Sequence, residues 1–282
     1  MSAGSSPDRE ILARLAALGT AGSGGVALAE TALLLGSLDL DRSAAAIADC
    51  RATLDALAAD LAVLAPKADN LARRAEALAA VIAMRHGFTG DRETYDDLAN
   101  ANLIAVLERK RGLPVALAIL YIHAARAVGW EVEGLNFPGR FLIRLGAPDG
   151  RAVLDPFDDG MVRQASSLRE LLKQSLGSTA ELAPEHFAAI DDRDILLRLQ
   201  NNIKVRLLQA DRIAEALVII ERMQLIAPAE PMLWLEAAGY HARLGNLRAA
   251  MLAAGRCGEL ASDEGLRQRA ASLLQELKGR LN

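Results

Sequence analysis

From Val26 to Met84 the apolar residues recur at helical spacing, as VALAETALLLGSL, then AAAIADCRATLDALAADLAVL after a cap-like Asp41, then ADNLARRAEALAAVIAM. This predicts an all-helical portion. Ahead of it, ILARLAAL is a short amphipathic run that gives way to GTAGSGG, a flexible-linker composition, so residues 1–25 read as a loosely held helix and linker. The helical pattern continues from Tyr95 to Lys110. Gly112 and Pro114 then supply a stop and a new start, with Pro in the first turn, where its missing N–H is harmless. That helix is expected to run to Val128 and end at Gly129.

The period then changes. EVEGLNF, RFLIRL and RAVLDPF are short, rich in Val, Leu, Ile and Phe, and separated by Pro-Gly and by Gly-Ala-Pro-Asp-Gly, as in hairpins of a small antiparallel sheet. Met161 to Leu176 reads as a capped helix. Beyond it the helical pattern becomes periodic. Laid on itself with a shift of thirty-four, the length of a tetratricopeptide repeat, the chain matches Gln200 with Trp234, Asp211 with Gly245, Ile213 with Leu247, Ala216 with Ala250, Ile220 with Ala254 and Met223 with Cys257. Two such repeats are expected, over 197–230 and 231–264, with 265–281 as a capping helix; His241 stands where an aromatic residue is usual. The predicted fold class is therefore α+β and mostly helical, divided into 1–25, a domain over 26–190 that carries the small sheet, and repeats over 191–282.

Composition narrows the function classes. A hydrophobic content of 52% with only 4% aromatics makes the apolar mass mostly Ala and Leu, which suits closely packed helices. A net charge of -4, from 32 basic and 36 acidic residues, lacks the basic excess that nucleic-acid binding requires. The start, MSAGSSPDRE, is polar and acidic rather than basic then apolar, and the longest apolar run, Leu113 to Ile122, is too short for a bilayer, so a cytoplasmic protein with no membrane partner is expected. Cys50 and Cys257 have neither disulfide nor metal-ligand spacing, and His86, His123, His186 and His241 lack an i, i+4 partner, so neither a metal nor another cofactor is expected. Glu108 to Arg111 reads as the solvated end of a helix, and Asp96 and Asp97, pointing about 100° apart, as caps rather than an acid–base pair.

The stretch NANLIAVLERKRGLPVALAILYIHAARAVGWEVEGLNFPGRFLIR, followed by Asp155-Pro156-Phe157, resembles the signature region of the SirB family, bacterial proteins with a transglutaminase-like domain followed by tetratricopeptide repeats. The resemblance covers nearly the whole chain. It implies a papain-like fold in which a Cys at a helix start, a His and an Asp form the catalytic set. Such chemistry needs a thiolate whose pKa is lowered by a helix N-terminus and a neighbouring imidazole.

Carried onto this chain, the nucleophile position falls at Leu113, Pro114, Val115 and Ala116, none of which can attack a carbonyl. The His of the family's Pro-Gly-His-Phe motif is replaced by Arg140, which stays protonated at any working pH and cannot act as a general base. Only Asp155 matches its position, and its simplest role is an ion pair with Arg140. Between Tyr95 and Ala165 there is no Ser, Thr or Cys. The triad-equivalent positions are thus Pro114, Arg140 and Asp155, with no catalytic residue among them. The expectation is a pseudoenzyme that binds a protein partner, with Arg140, Asp155, Trp234 and His241 as candidate binding residues, the helical repeats as its surface, and self-association as a further use of that surface. The resemblance also implies a regulatory role. The alternative is a papain-like thiol hydrolase or transglutaminase-type enzyme with a displaced nucleophile.

Overall fold

In the computed structural model, which describes residues 7–20, 27–40 and 44–281, the chain separates into two compact units. One comprises residues 27–199. The other comprises residues 200–282 together with the N-terminal residues up to 26. The boundary falls nine residues after the expected one at 190/191, inside a helix rather than in a loop. The N-terminal α1 (Pro7–Thr20) groups with the C-terminal helices. Residues 21–25 of the linker-like run, and the cap-like Asp41, lie outside the described residues.

The 27–199 unit begins with α2 (Leu28–Leu40), α3 (Ala44–Leu64) and α4 (Leu71–Ala79), as the apolar spacing predicts. Asn70 caps α4 by accepting the Arg73 N–H at 3.0 Å. A π-helical turn, Ala80–Arg85, extends α4 to His86, and β1 (Thr89–Gly90) follows. The expected continuous helix over 95–110 is interrupted. Asp97 caps a 3-10 turn, Leu98–Ala101, and Asn102 restarts the chain as the cap of α5 (Leu103–Arg109), because its Oδ1 accepts the N–H groups of Ile104 and Ala105. Asn102 also donates to Gly36 O at 2.9 Å across to α2, where a Cβ on Gly36 would lie 2.7 Å from Asn102 Oδ1.

Strand β2 (Arg111–Gly112) pairs in parallel with β1, Gly112 opposite Gly90. Helix α6 (Pro114–Ala127) starts on Pro114 and ends before Gly129, which takes φ +74. Every residue of α6 from Pro114 to Ile122 is buried. Its mass of Leu, Ile and Ala forms the centre of the unit, each fully buried Leu or Ile contributing about 1.5–3 kcal/mol.

Strands β3 (Val132–Leu135), β4 (Leu142–Ala147) and β5 (Gly150–Asp155) are antiparallel neighbours, as the strand-like runs predict. The register sets Leu135 opposite Leu142, and both pack on Leu168 and Leu172 of α7 (Ala165–Leu176). Two elements were not legible as strands. Met161–Arg163 forms β6, paired with β5, so the expected helix from Met161 is corrected to a strand followed by α7. Ala189–Ile190 forms β7, which pairs with β3 and gives the order β6-β5-β4-β3-β7. The Gly160 turn explains the first: with φ +77 it reverses the chain and lays Met161 beside Asp155.

After α8 (Asp192–Gln209), the second unit continues with α9 (Ile213–Ile226), α10 (Pro231–Arg243), α11 (Leu247–Leu260) and α12 (Glu264–Leu281). Asp211 and Gly245, matched by the repeat shift, both take positive φ in the turns before α9 and α11, at 56° and 77°. Where composition predicts a loosely held helix, α1 is packed: Leu15 is fully buried, and a Cβ on Gly19 would lie 1.9 Å from Leu225 O of α9.

Candidate functional site

Asp155, at the end of β5, is fully buried and shared by three groups. Its Oδ1 accepts the Phe157 N–H at 3.1 Å, the turn that the Asp-Pro-Phe sequence favours. Its Oδ2 accepts Nη2 and Nε of Arg163 at 2.8 and 3.2 Å. Arg140 Nε lies 3.0 Å from the same oxygen but out of line for a hydrogen bond, so Arg140 and Asp155 meet as an ion pair only. Arg163 also donates to Asp158 Oδ2 at 2.6 Å, and Arg92 donates to Asp158 Oδ1 at 2.5 Å.

Phe157 is the hub of this cluster. The Arg140 guanidinium stands 4.8 Å from its ring centroid and that of Arg92 5.7 Å, with Tyr95 edge-on at 5.7 Å. A Cβ on Gly90 would lie 2.5 Å from Phe157 O, so the parallel pair of Gly90 with Gly112 ties the cluster to the residues just before Pro114. Arg140 is placed by Gly139, whose φ of +72 and close approach to Ser175 of α7 leave no room for a side chain.

Pro114 contributes hydrocarbon alone, as do Val115 and Ala116 beside it, all three buried. Seven residues along α6, Tyr121 is fully buried and its hydroxyl has no hydrogen-bond partner among the described residues. Burial, with the nearby carboxylates of Asp159 and Asp155, pushes its pKa up, so it stays a neutral phenol. Burial likewise pushes the His123 imidazole down, toward its neutral form. The imidazole meets the Leu54 backbone and the Asp55 carboxylate of α3. Cys50 and Cys257 are both buried, and burial pushes the Cys257 thiol up, away from the thiolate that attack requires. Among the described residues, no three His, Cys, Asp or Glu side chains are grouped to hold a metal ion, and no helix is long and apolar enough to cross a membrane.

The structure thus brings Arg140 and Asp155 together. Trp234 and His241 belong to the other unit, where each has an intramolecular role. The Trp234 indole donates to Pro228 O at 2.9 Å and packs beside Leu235 and Cys257; His241 Nε2 lies 3.8 Å from Glu221 Oε1. Sequence reasoning missed Arg163, Asp158 and Arg92. Only the acidic DPFDDG turn pointed to a need for cations, and the helical reading of Met161 to Leu176 hid Arg163. It also missed Asp91, buried before the 3-10 turn, which accepts Glu93 N, Thr94 N and Thr94 Oγ1 at 3.0, 2.8 and 2.7 Å.

A core helix entered through Gly-Leu-Pro and backed by an antiparallel sheet, with an Asp-Pro-Phe turn at a strand end, defines a transglutaminase-like domain. The chain belongs to the transglutaminase-like superfamily, whose family model matches residues 48–201. A UPF0162 protein of Xylella fastidiosa strain Temecula1 is 34% identical over 148 residues, covering 51% of this chain and 53% of that protein. One from Vibrio cholerae is 33% identical over 159 residues, 56% of this chain and 58% of its own length. The chain thus spans little more than half the length of these curated relatives. F-box only protein 21 of Mus musculus is 38% identical over 71 residues, 25% of this chain and 11% of that protein.

Proposed function

We propose that the chain is a non-catalytic binding protein, built on a transglutaminase-like domain without its Cys and His, whose C-terminal helices act as tetratricopeptide-like repeats that engage a protein partner. The observation that carries this reading is the fixing of Arg140 between Asp155 and Phe157. A guanidinium there cannot accept a proton from any nucleophile, and Asp155, fully engaged, has no imidazole to orient. The absence of Ser, Thr and Cys from Tyr95 to Ala165 supports the same conclusion. The SirB resemblance adds a regulatory role, a cytoplasmic location belongs to the same proposal, and self-association is a second use of the repeat surface.

Support for the repeats comes from the thirty-four-residue offset, which relates the starts of α9 and α11 and the two positive-φ turns before them. Stacked helix pairs of this kind present their first helices to a ligand. On α8 the exposed residues are Asp194, Asn201, Val205 and Gln209, and of these Asn201 and Val205 stand one helical turn apart in the second unit.

The test joins two assays on the purified full chain. Incorporation of a labelled primary amine into a glutamine-bearing protein, and hydrolysis of a mixed amide-substrate set, are both expected to stay at the uncatalysed rate. A partner captured from the source cell is expected to bind the wild type and to be lost by Asn201→Asp/Val205→Asp with its helicity intact. Turnover abolished by alkylation of Cys50 or Cys257 would establish the alternative, an enzyme with a displaced nucleophile.

A further inference from the structure

We infer that Arg140 is the receptor for a carboxylate, at the position where the fold would otherwise place its imidazole. This goes beyond the partner-binding reading and does not rest on it, since the site lies entirely within the 27–199 unit.

Asp155 does not exhaust Arg140. The carboxylate already accepts two N–H groups from Arg163 and one from Phe157, and Arg140 offers it only Nε, out of line. The Arg140 side chain keeps 23% of its surface exposed, against 14% for Arg163. Among the described residues, the two terminal nitrogens of Arg140 take no hydrogen bond, and its contacts are the Asp155 ion pair and the Phe157 ring. The guanidinium therefore turns one edge toward buried charge and leaves its terminal edge, the pair of parallel N–H groups that matches a carboxylate, toward solvent.

The fork is also pre-set. Gly139 against Ser175 fixes the backbone, Phe157 holds the guanidinium plane by its face, and Asp155 anchors Nε, so little rotamer freedom remains to be lost when an anion arrives. The ion-paired set by itself carries one surplus positive charge. The ion-paired groups are three guanidiniums, Arg92, Arg140 and Arg163, with two carboxylates, Asp155 and Asp158. The third carboxylate, Asp159, is exposed and accepts the Thr89 hydroxyl at 2.8 Å. Arg92 stands near the same ring and is 63% exposed, so a second cation is available to the anion's outer side.

A planar carboxylate can come from a small organic acid or from an acidic side chain of a peptide, and both present the same two oxygens. The experiment titrates the 15N-labelled full chain while following the Arg140 Nε–Hε resonance, assigned by its absence in Arg140→Gln. Sodium acetate, an N-acetylated tetrapeptide amide with one Glu, and sodium chloride at matched ionic strength are the three additives. A saturable shift with acetate and peptide alike is expected if the carboxylate alone is recognised; saturation with the peptide only assigns the site to acidic peptides. Arg140→Lys, which keeps the charge but loses the fork, is expected to weaken binding at least tenfold, with the circular dichroism spectrum unchanged. A linear shift matched by sodium chloride, or saturation undiminished in Arg140→Lys, overturns the proposal. Should Arg140→Gln fail to fold, Arg140→Lys supplies the assignment and the wild-type titration still decides.

Discussion

Arg163 Nη2 donates to Asp155 Oδ2 at 2.8 Å, whereas Arg140 reaches the same oxygen by charge alone. The two arginines lie at similar distances from that oxygen, 2.8 and 3.0 Å, yet the geometry makes Arg163 the structural partner. Removing Arg163 takes away both guanidinium hydrogen bonds of the buried Asp155 and leaves it only the out-of-line charge of Arg140, at a cost of up to about 3–5 kcal/mol. Arg163→Met is therefore expected to destabilise the chain by roughly that amount in urea, and Arg140→Met by less than about 1 kcal/mol because its partner stays neutralised. Equal losses in the two variants would show that Arg140 carries the Asp155 charge.

Asp91 gives the fold a specific acid sensitivity. The Thr94 hydroxyl and N–H, then the Glu93 N–H, hold its carboxyl at about 2 despite its burial. Because that value lies below the ordinary one, the stability it contributes is complete above about pH 4 and is lost as the pH falls through about 2. Thr94→Val removes the largest cause and is expected to lower stability at pH 7, with the gap to wild type closing toward pH 2. A gap of constant size from pH 7 to pH 2 would assign the loss to packing instead.

How much of this was legible follows the physics of each signal. Helical periodicity located α2, α3, α6 and the C-terminal helices, because each hides an apolar stripe long enough to repeat. The three strands β3, β4 and β5 announced themselves by β-branched and aromatic runs between turns. Strand β6 did not, since its three residues, Met161, Val162 and Arg163, are too few to show alternation and stand at a sheet edge with two side chains exposed. The missed strand carried Arg163 with it. Arg140 and Asp155 were legible through their motif positions, but the division of labour between the two arginines depends on hydrogen-bond angles that spacing does not encode. The place of α1 beside α9 was equally hidden, because a contact across some two hundred residues leaves no local pattern.

In the second unit, Lys204 of α8 is 5% exposed and pairs with Glu236 of α10, which also accepts the Tyr240 hydroxyl at 3.3 Å. Glu236→Ala strands a buried ammonium and is expected to cost about 2–4 kcal/mol, less than a fully buried pair because Glu236 is itself a third exposed. Lys204→Met with Glu236→Gln removes both charges together and is expected to recover most of that loss. Thermal unfolding of the single and double variants measures the difference, and a double variant no better than Glu236→Ala alone would place the effect in Tyr240 or in helix packing.

The close approach of α1 to α9 predicts a sharp size limit at Gly19. A Cβ there would stand 1.9 Å from Leu225 O and 3.0 Å from the Pro228 ring, and Leu225 O belongs to backbone that cannot rotate aside. Gly19→Ala must therefore either push α1 away from α9 or break its last turn, losing part of the burial of Leu15. Overpacking of this kind costs about 1–3 kcal/mol, which outweighs the few tenths to 1 kcal/mol that Ala gains over Gly in a helix. The expected result is a net loss of stability together with faster protease cleavage within residues 7–20 and unchanged cleavage elsewhere. Stabilisation by Gly19→Ala, the outcome for an exposed helical glycine, would mean that α1 does not dock on α9 in solution.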